Sequence, residues 1–390
     1  MTATDWQRPF TDLSGPIARF PHPPFEIPAT PEDLRFFLQA ALALEHLTIP
    51  PYLTALYSLR PGTNREAFFA IRAVVLEEML HMTLVANLLN AVGGEPVVAD
   101  PVFVTDYPVY LPFARDEVPI ALRHFGPEAL RTFLFIERPE AVAEVPPPHD
   151  NPDGWSSIGQ FYAAIRQCLL TLCPTEEKER ALFSGPRERQ VGPGDFYNSG
   201  GEVFEITDLR SALKAVRVIS EQGEGVSDTV YNSDDQLFGE AREPAHFFRF
   251  NEIYQGRRYG PHDTPSAGPT GPVLAVDWDA AYPIDPEAGS ADYPPGSQVR
   301  GASDEFNRTY GRLLHLLQAA YTGQPQQLRA AVPAMLALRD QAERLYRNPH
   351  PGRPGLHASP TYEIDPGLLT LSGAQLADGV GHAGLLAGLA

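Results

Sequence analysis

Leu76-Glu-Glu-Met-Leu-His-Met82 is the stretch that decides the fold of this chain. It places Glu78 and His81 three residues apart within a long apolar segment. Three residues make nearly one helical turn, so both side chains project from the same side of a helix. A second Glu-x-x-His occurs later, as Glu243-Pro-Ala-His246. Two such motifs on different helices are typical of four-helix bundles that hold two metal ions.

Apolar residues recur with helical spacing around both motifs and in two further segments. We therefore predict bundle helices that begin near residues 31, 65, 208 and 240. Pro50-Pro51 is expected to kink or interrupt the first helix, because proline has no N–H to donate. Gly93-Gly94 ends the second helix. Additional helices are predicted at 156–172, 303–322 and 325–347.

Carboxylates on apolar helix faces are the main argument for a metal site. Glu45 follows Leu34 and Leu38 on one face of the first helix, and Glu78 and His81 interrupt the apolar face of the second. A buried charge is costly unless it is paired or bound to a metal. We predict two divalent ions, for which iron fits the mixed oxygen and nitrogen ligands best, with manganese or a mixed pair as alternatives.

Each residue also has an ordinary structural explanation. Glu78 could pair with Arg72, and His81 could be a satisfied core histidine. Two motifs on apolar helices, each with a carboxylate on the preceding helix, make the metal interpretation the stronger one. The neighbouring His46 and Glu77 are predicted to face elsewhere, since each lies one residue, about 100°, from a ligand position.

The third helix offers two carboxylates for the same site. Glu224 lies closer to the apolar face around Leu213 than Glu221 does. We place the ligand at Glu221 and keep Glu224 as the alternative. Whichever residue does not bind metal is expected to support the ligands from behind.

The charge of the chain excludes several partners. It carries 30 basic and 49 acidic side chains, a net charge of −19, without a basic cluster. That balance argues against nucleic acid and against an anionic membrane surface. Two cysteines suit a reducing compartment, and neither a signal segment nor an apolar run of transmembrane length is present. We expect a soluble cytoplasmic protein without nucleic-acid or membrane partners.

Seven stretches of the chain carry a family pattern. They are Leu44-Glu-His-Leu-Thr-Ile-Pro-Pro-Tyr-Leu-Thr-Ala-Leu-Tyr57, Leu76-Glu-Glu-Met-Leu-His-Met82, Ala86-Asn-Leu-Leu-Asn-Ala-Val-Gly-Gly94, Phe135-Ile-Glu-Arg-Pro-Glu140, Ile206-Thr-Asp-Leu209, Glu221-Gln-Gly-Glu-Gly225 and Ala245-His-Phe-Phe-Arg-Phe-Asn-Glu-Ile253. These stretches resemble the ferritin-like domain of the iminophenyl-pyruvate dimer synthase family, found in bisindole pathway proteins such as those for violacein and rebeccamycin. The resemblance implies a mainly α, ferritin-like four-helix bundle with long irregular insertions and extra C-terminal helices.

The resemblance also implies a ligand set and an organisation. Carried over residue by residue, the metal ligands are Glu45, Glu78, His81, Glu221, Glu243 and His246. Pro244 disfavours a helical conformation at Glu243, which puts the aim of that carboxylate at a metal in question. We expect a Pro-rich arm at 1–30, the ferritin-like domain at 31–347 with insertions at 93–155 and 256–301, and an irregular tail at 348–390.

The activity implied by the resemblance is oxidative chemistry in specialised metabolism. We predict a non-haem dimetal, di-iron oxidase or oxygenase that acts on a small organic molecule, aromatic or derived from an amino acid. The chain is expected to lack the additional large region of the violacein and rebeccamycin enzymes, so dimer formation is not carried over. The alternatives are a ferritin-like protein that handles iron or peroxide and a bundle without metal.

The substrate pocket and the assembly are less well defined by the sequence. The two insertions either shape the pocket or are plain surface excursions. Tyr52, Tyr57 and Phe247 lie near ligand positions, where they either line the pocket or belong to the core. The oligomeric state stays open, a homo-oligomer included.

Overall fold

A computed structural model describes residues 13–20, 23, 26–100, 103–104, 106–112, 118–139, 155, 157–196, 201–225, 229–232 and 243–364. Most of the predicted N-terminal arm and the tail beyond residue 364 therefore lie outside the described residues. The described part is mainly helical, as predicted, and its short strands β1 (Ala18–Arg19) and β2 (Val109–Tyr110) pair in parallel. None of its helices is both long enough and apolar enough to cross a lipid bilayer.

Two helical pairs form the bundle. The first pair consists of α1 (Pro31–Ser58) and α2 (Arg65–Ala91), which pack along each other. The second pair consists of α4 (Ile158–Leu172) and α6 (Leu209–Glu224). Helix α4 packs against α1 and α6 against α2, which closes the four-helix arrangement.

The remaining helices cover the bundle. Helix α3 (Pro127–Ile136) packs against α7 (His246–Gln255), and both contact the first pair. Helix α5 (Glu176–Leu182) follows α4. The last two helices, α8 (Gln298–Tyr321) and α9 (Gln327–Tyr346), form a hairpin that packs on α2 and α1 respectively.

One bundle helix differs from the sequence prediction. We expected the fourth member to begin near residue 240, but the helix of that region, α7, begins only at His246. Its ten residues are too short to run beside α1, and α4 takes the place instead. The apolar side of α4, which includes Phe161, Ile165 and Leu169, is completely buried.

Helix α1 continues through Pro50-Pro51, so the expected interruption is absent. Pro51 has no N–H to donate to the carbonyl oxygen of Leu47, one turn earlier. The hydroxyl of Tyr107 donates to that oxygen instead, at 2.8 Å. A side chain from the insertion after α2 thus satisfies a carbonyl that the proline leaves without its helical partner.

We predict that Asn87→Ala destabilises the fold by about 3 kcal/mol, because three buried hydrogen bonds lose their partner. The Asn87 amide donates to the carbonyls of Val191 and Phe204 at 2.9 and 3.1 Å and accepts from the Val191 N–H at 2.8 Å. Denaturant unfolding measures the change, with the exposed Gln326→Ala as control. Equal stability of the two variants would contradict the role assigned to Asn87.

Candidate metal centre

The first cluster of possible metal ligands joins α1 to α2. It consists of Glu45, Glu78 and His81, all of which are buried, with their ligand atoms within 4.8 Å of one another. Nδ1 of His81 lies 3.4 Å from Oε2 of Glu45 and 3.9 Å from Oε1 of Glu78. The Glu-x-x-His spacing of α2 therefore places both side chains at one point, opposite the carboxylate of α1.

The second cluster shares Glu78 with the first. Its other members are Glu137, at the C-terminal end of α3, and His246, the first residue of α7. Nδ1 of His246 lies 2.9 Å from Oε1 of Glu78 and 3.5 Å from Oε2 of Glu137. The rings of His81 and His246 stack with their centres 5.5 Å apart. Glu78 is thus the one residue that belongs to both clusters of the described residues and could contribute to the binding of a metal ion in either.

The far nitrogen of each histidine has a different partner. Nε2 of His81 lies 2.7 Å from the amide oxygen of Gln222 on α6. Nε2 of His246 lies 2.6 Å from a carboxylate oxygen of Glu77, whose other oxygen accepts from Arg249 at 3.0 Å. Such contacts orient a ligating imidazole, and a carboxylate partner also makes it a stronger ligand. The two clusters are therefore chemically unequal.

Hydroxyl groups hold the three carboxylates from behind. Tyr162 of α4 donates to Oε1 of Glu45, Tyr52 donates to Oε1 of Glu137 at 2.5 Å, and Thr48 donates to Oε2 of Glu78 at 3.1 Å. Burial, with nearby carboxylates, raises the pKa of both tyrosines well above the usual value. Both tyrosines therefore remain protonated donors, which fix one oxygen of each carboxylate.

The carboxylates of the two clusters outnumber the histidines and raise the pKa values of the groups around them. Burial and the charges of Glu137 and Glu45 raise the pKa of Glu78 to about 8. Burial lowers the pKa of His246, but the nearby Glu137, Glu77 and Glu78 carboxylates outweigh it and raise that pKa well above its usual value. A group of three buried carboxylates and two histidines holds protons strongly unless cations replace them.

The donor set fits divalent cations on its own chemistry. Nδ1 of His246 is buried and has no hydrogen bond of acceptable geometry among the described residues, although two carboxylate oxygens lie within 3.5 Å. A cation that replaced the proton on this nitrogen would be shared with the carboxylate oxygens that face it. Carboxylate oxygens with one imidazole per ion favour iron or manganese over a closed tetrahedral zinc site.

The structure brings four of the predicted ligands together and places three elsewhere. Glu45, Glu78, His81 and His246 meet, whereas Glu221, Glu224 and Glu243 belong to neither cluster. Glu221 is half-buried and lies 3.9 Å from Arg217 one turn earlier.

Different interactions hold the other two carboxylates away from the clusters. Glu224 accepts from the backbone N–H of Gly159 at 2.6 Å, at the N-terminus of α4, where a negative charge is favoured. The Glu243 side chain is 63% exposed and pairs with Arg249, because it precedes the helix as Pro244 suggested.

Two members of the centre were not predicted from the sequence. Glu137 lies in the stretch Phe135-Ile-Glu-Arg-Pro-Glu140, whose family pattern was the only signal for it. Gln222 is neutral, so the cost of a buried charge did not select it between Glu221 and Glu224.

The two predicted bystanders behave differently. Glu77 was expected to face elsewhere, yet it contacts His246. The expectation is correct for His46, which faces Tyr310 at 2.6 Å and whose pKa burial lowers to about 3.

Comparison with known proteins agrees with this architecture. The family model described as ferritin-like matches residues 38–255, more than half of the chain. The chain belongs to the ferritin-like family. A crystal structure of a ferritin-like protein from Caulobacter vibrioides shares the fold, with a TM-score of 0.57 and 24% identity, over 85% of this chain and 97% of that one.

Two curated relatives of this ferritin-like chain are much longer proteins. Dichlorochromopyrrolate synthase of Lentzea aerocolonigenes is 27% identical over 330 residues, which are 76% of this chain and 30% of the relative. The 2-imino-3-(indol-3-yl)propanoate dimerase of Chromobacterium violaceum is 29% identical over 249 residues, 53% of this chain and 23% of the relative. The chain therefore spans less than a third of either enzyme.

Metal analysis distinguishes the ligands from the carboxylates that lie outside the clusters. We expect Glu137→Ala to lose at least one of two bound ions, because the second cluster keeps only Glu78 and His246. We expect Glu243→Ala to keep both ions. Mass-spectrometric metal content after anaerobic iron loading and desalting gives the result. Equal losses in both variants, or in neither, would contradict the clusters described here.

Replacing Glu78 by Gln is expected to have opposite effects with and without metal. The folded-state pKa of about 8 exceeds the ordinary 4.5, so the metal-free parent loses stability as the pH rises between these values. Gln carries no titratable proton, so metal-free Glu78→Gln should gain thermal stability over the parent from pH 5 to pH 8.

The iron-loaded pair should show the reverse order, since Gln is the weaker ligand. Glu221→Gln, outside both clusters, serves as the control, and its stability relative to the parent should not reverse on iron loading. A pH-independent difference for metal-free Glu78→Gln would contradict the prediction.

Proposed function

We propose that the protein is a dimetal oxidase or oxygenase, with iron as the metal, that acts on a small organic molecule. The observation that carries the proposal is Glu78, shared by two buried clusters that each contribute one histidine and one further carboxylate. Two ions held by Glu45, Glu78, His81, Glu137 and His246 would supply redox chemistry with O2. Ferritin-like bundles commonly hold two metal ions between carboxylates and histidines of facing helices.

The surrounding residues prepare the site for reversible redox change. Tyr162 and Tyr52 hold protons next to Glu45 and Glu137, so each carboxylate keeps one oxygen hydrogen-bonded and offers the other. Gln222 and Glu77 fix the orientation of the two imidazoles. Because the ligands are at most 3% exposed, bulk water is excluded from the centre.

The unequal histidine partners give the two positions different tasks. The Glu77 carboxylate strengthens His246 as a ligand and adds negative charge behind it, whereas the Gln222 amide at His81 adds none. The ion at the Glu137 side would thus be held more firmly. The residues of the Glu45 side, with the neutral Gln222 amide behind His81, would hold their ion less firmly.

The curated relatives support a substrate class. Their names describe a synthase of a chlorinated chromopyrrolate and a dimerase of an indole-bearing imino acid. We propose an imino or keto acid derived from an aromatic amino acid as substrate. The step that we propose for this chain is the oxidation of such a molecule.

Oxygen consumption tests the proposal. The iron-loaded, reduced protein is mixed with oxygen alone, or together with an imino acid generated from tryptophan by an amino-acid oxidase that has been allowed to exhaust its tryptophan and has then been removed together with its peroxide. We expect continuing oxygen uptake and loss of the imino acid only in the second mixture. Glu137→Ala should abolish the uptake, and Glu243→Ala should retain it.

Two results would overturn the proposed oxidation. One is a single burst of oxygen uptake that the organic acid does not change. The other is rapid removal of added peroxide without an organic substrate. Either result would assign the centre to iron or peroxide handling instead.

A further inference from the structure

An apolar cavity lies between α1 and α2 on one side and α8 and α9 on the other, away from the metal clusters. It has a volume of about 620 Å³ and is enclosed by α1, α2, α8 and α9. None of the five candidate metal ligands lines it. The volume is within the usual range for sites that bind organic molecules, roughly 300–1,000 Å³.

The cavity extends along α1 and α2. It follows α1 from His46 to Tyr57 and α2 from Phe68 to Thr83. The α1 span alone covers twelve residues, which is roughly 16 Å along an α-helix. Between these ends the walls are leucine, isoleucine, valine and methionine side chains, including Leu53, Leu56, Val75, Met79, Leu314 and Leu317. The shape suits an extended apolar body.

Positive charge marks one end of the cavity. Tyr57, Arg72 and Arg339 line that end, and both guanidinium groups lie close enough to act on the Tyr57 hydroxyl. Arg339 is 3.4 Å from Glu343, and Asp340 also lies near Tyr57. No ion pair is found for Arg72 among the residues that the structure describes. In a chain of net charge −19, a free guanidinium beside an apolar cavity is suited to a carboxylate.

The other end offers a buried hydrogen-bonding group. His46 is 5% exposed and lines the cavity, with Nε2 2.6 Å from the Tyr310 hydroxyl. Its Nδ1 is buried without a hydrogen-bond partner in the described part of the chain. A buried polar atom of this kind is costly unless something satisfies it. A ligand with a second polar group at its far end would do so.

We propose that this cavity binds an elongated organic acid, with its carboxylate at Arg72 and Tyr57 and its apolar body along α1 towards His46. An acyl chain and an extended aromatic acid share this chemistry. The proposal goes beyond the oxidation proposed above, because the cavity holds none of the metal ligands.

Fluorescence titration tests the cavity on the metal-free full chain. The probe is cis-parinaric acid, a polyene fatty acid that becomes fluorescent in apolar surroundings. We expect saturable binding of about one probe per chain. Displacement by palmitate would identify the body as an acyl chain, and displacement by 4-phenylbenzoate would identify it as aromatic. Absence of saturable binding would overturn the proposal.

Two variants locate the probe, with one matched control. Arg72→Gln should weaken binding about tenfold through loss of the charge-assisted contact, and the methyl ester of the probe should bind equally to parent and variant. Val332→Trp, at a half-buried wall position on α9, should fill the cavity and abolish binding. The control is Arg65→Gln, which lies on α2 like Arg72 but outside the cavity. This variant should bind the probe like the parent.

Unchanged affinity in both Arg72→Gln and Val332→Trp would place the probe elsewhere and overturn the assignment. Thermal unfolding and iron content of each variant confirm that the fold and the metal clusters are intact. A negative binding result with normal iron content would leave the proposed oxidation unaffected, so the two proposals fail separately.

Discussion

The burial of Glu78 is the constraint on which the rest of the centre depends. Its carboxylate lies between two histidines and beside two further carboxylates, where water cannot stabilise its charge. Five elements of the fold converge on that point to compensate for it. Helices α1, α3 and α7 bring the candidate ligands Glu45, Glu137 and His246, α4 brings Tyr162, and α6 brings Gln222. The bundle can therefore be understood as the packing that holds these groups around one shared acid.

The first half of the centre was predictable because periodicity determines it. Glu45, Glu78 and His81 lie on continuous apolar helices, where a residue's position along the helix fixes the direction of its side chain. The second half was predictable only in part. His246 lies at a helix start and Glu137 at a helix end, where no periodic pattern extends far enough to fix the direction.

Two of the residues that were predicted as ligands but lie outside the clusters, Glu243 and Glu224, also have a physical explanation. Glu243 and His246 form a motif only if both lie in one helix, but the helix begins at His246, after Pro244, so Glu243 precedes it. Glu224 is buried like a ligand, but its charge is stabilised by the N-terminus of α4, a tertiary contact that no local pattern records. Helix α4 is a bundle member and α7 is not, because α4 is longer. The sequence pattern near residue 240 did not determine where α7 begins, and so did not determine its length.

The contact between Glu224 and Gly159 also affects how ions could enter. A Cβ atom at position 159 would overlap the Glu224 carboxylate, so only glycine lets this side chain of α6 lie directly against the backbone of α4 and link the two helices. In this contact Gly159 lies within one turn of Tyr162 on α4, and Glu224 lies two residues from Gln222 on α6. If this helical pair separates from α1 and α2, the contacts to Glu45 and His81 break in the same motion. Opening the bundle and loosening the outer support of the first cluster are then a single event, while the Glu137 side, supported by α2, α3 and α7, stays assembled.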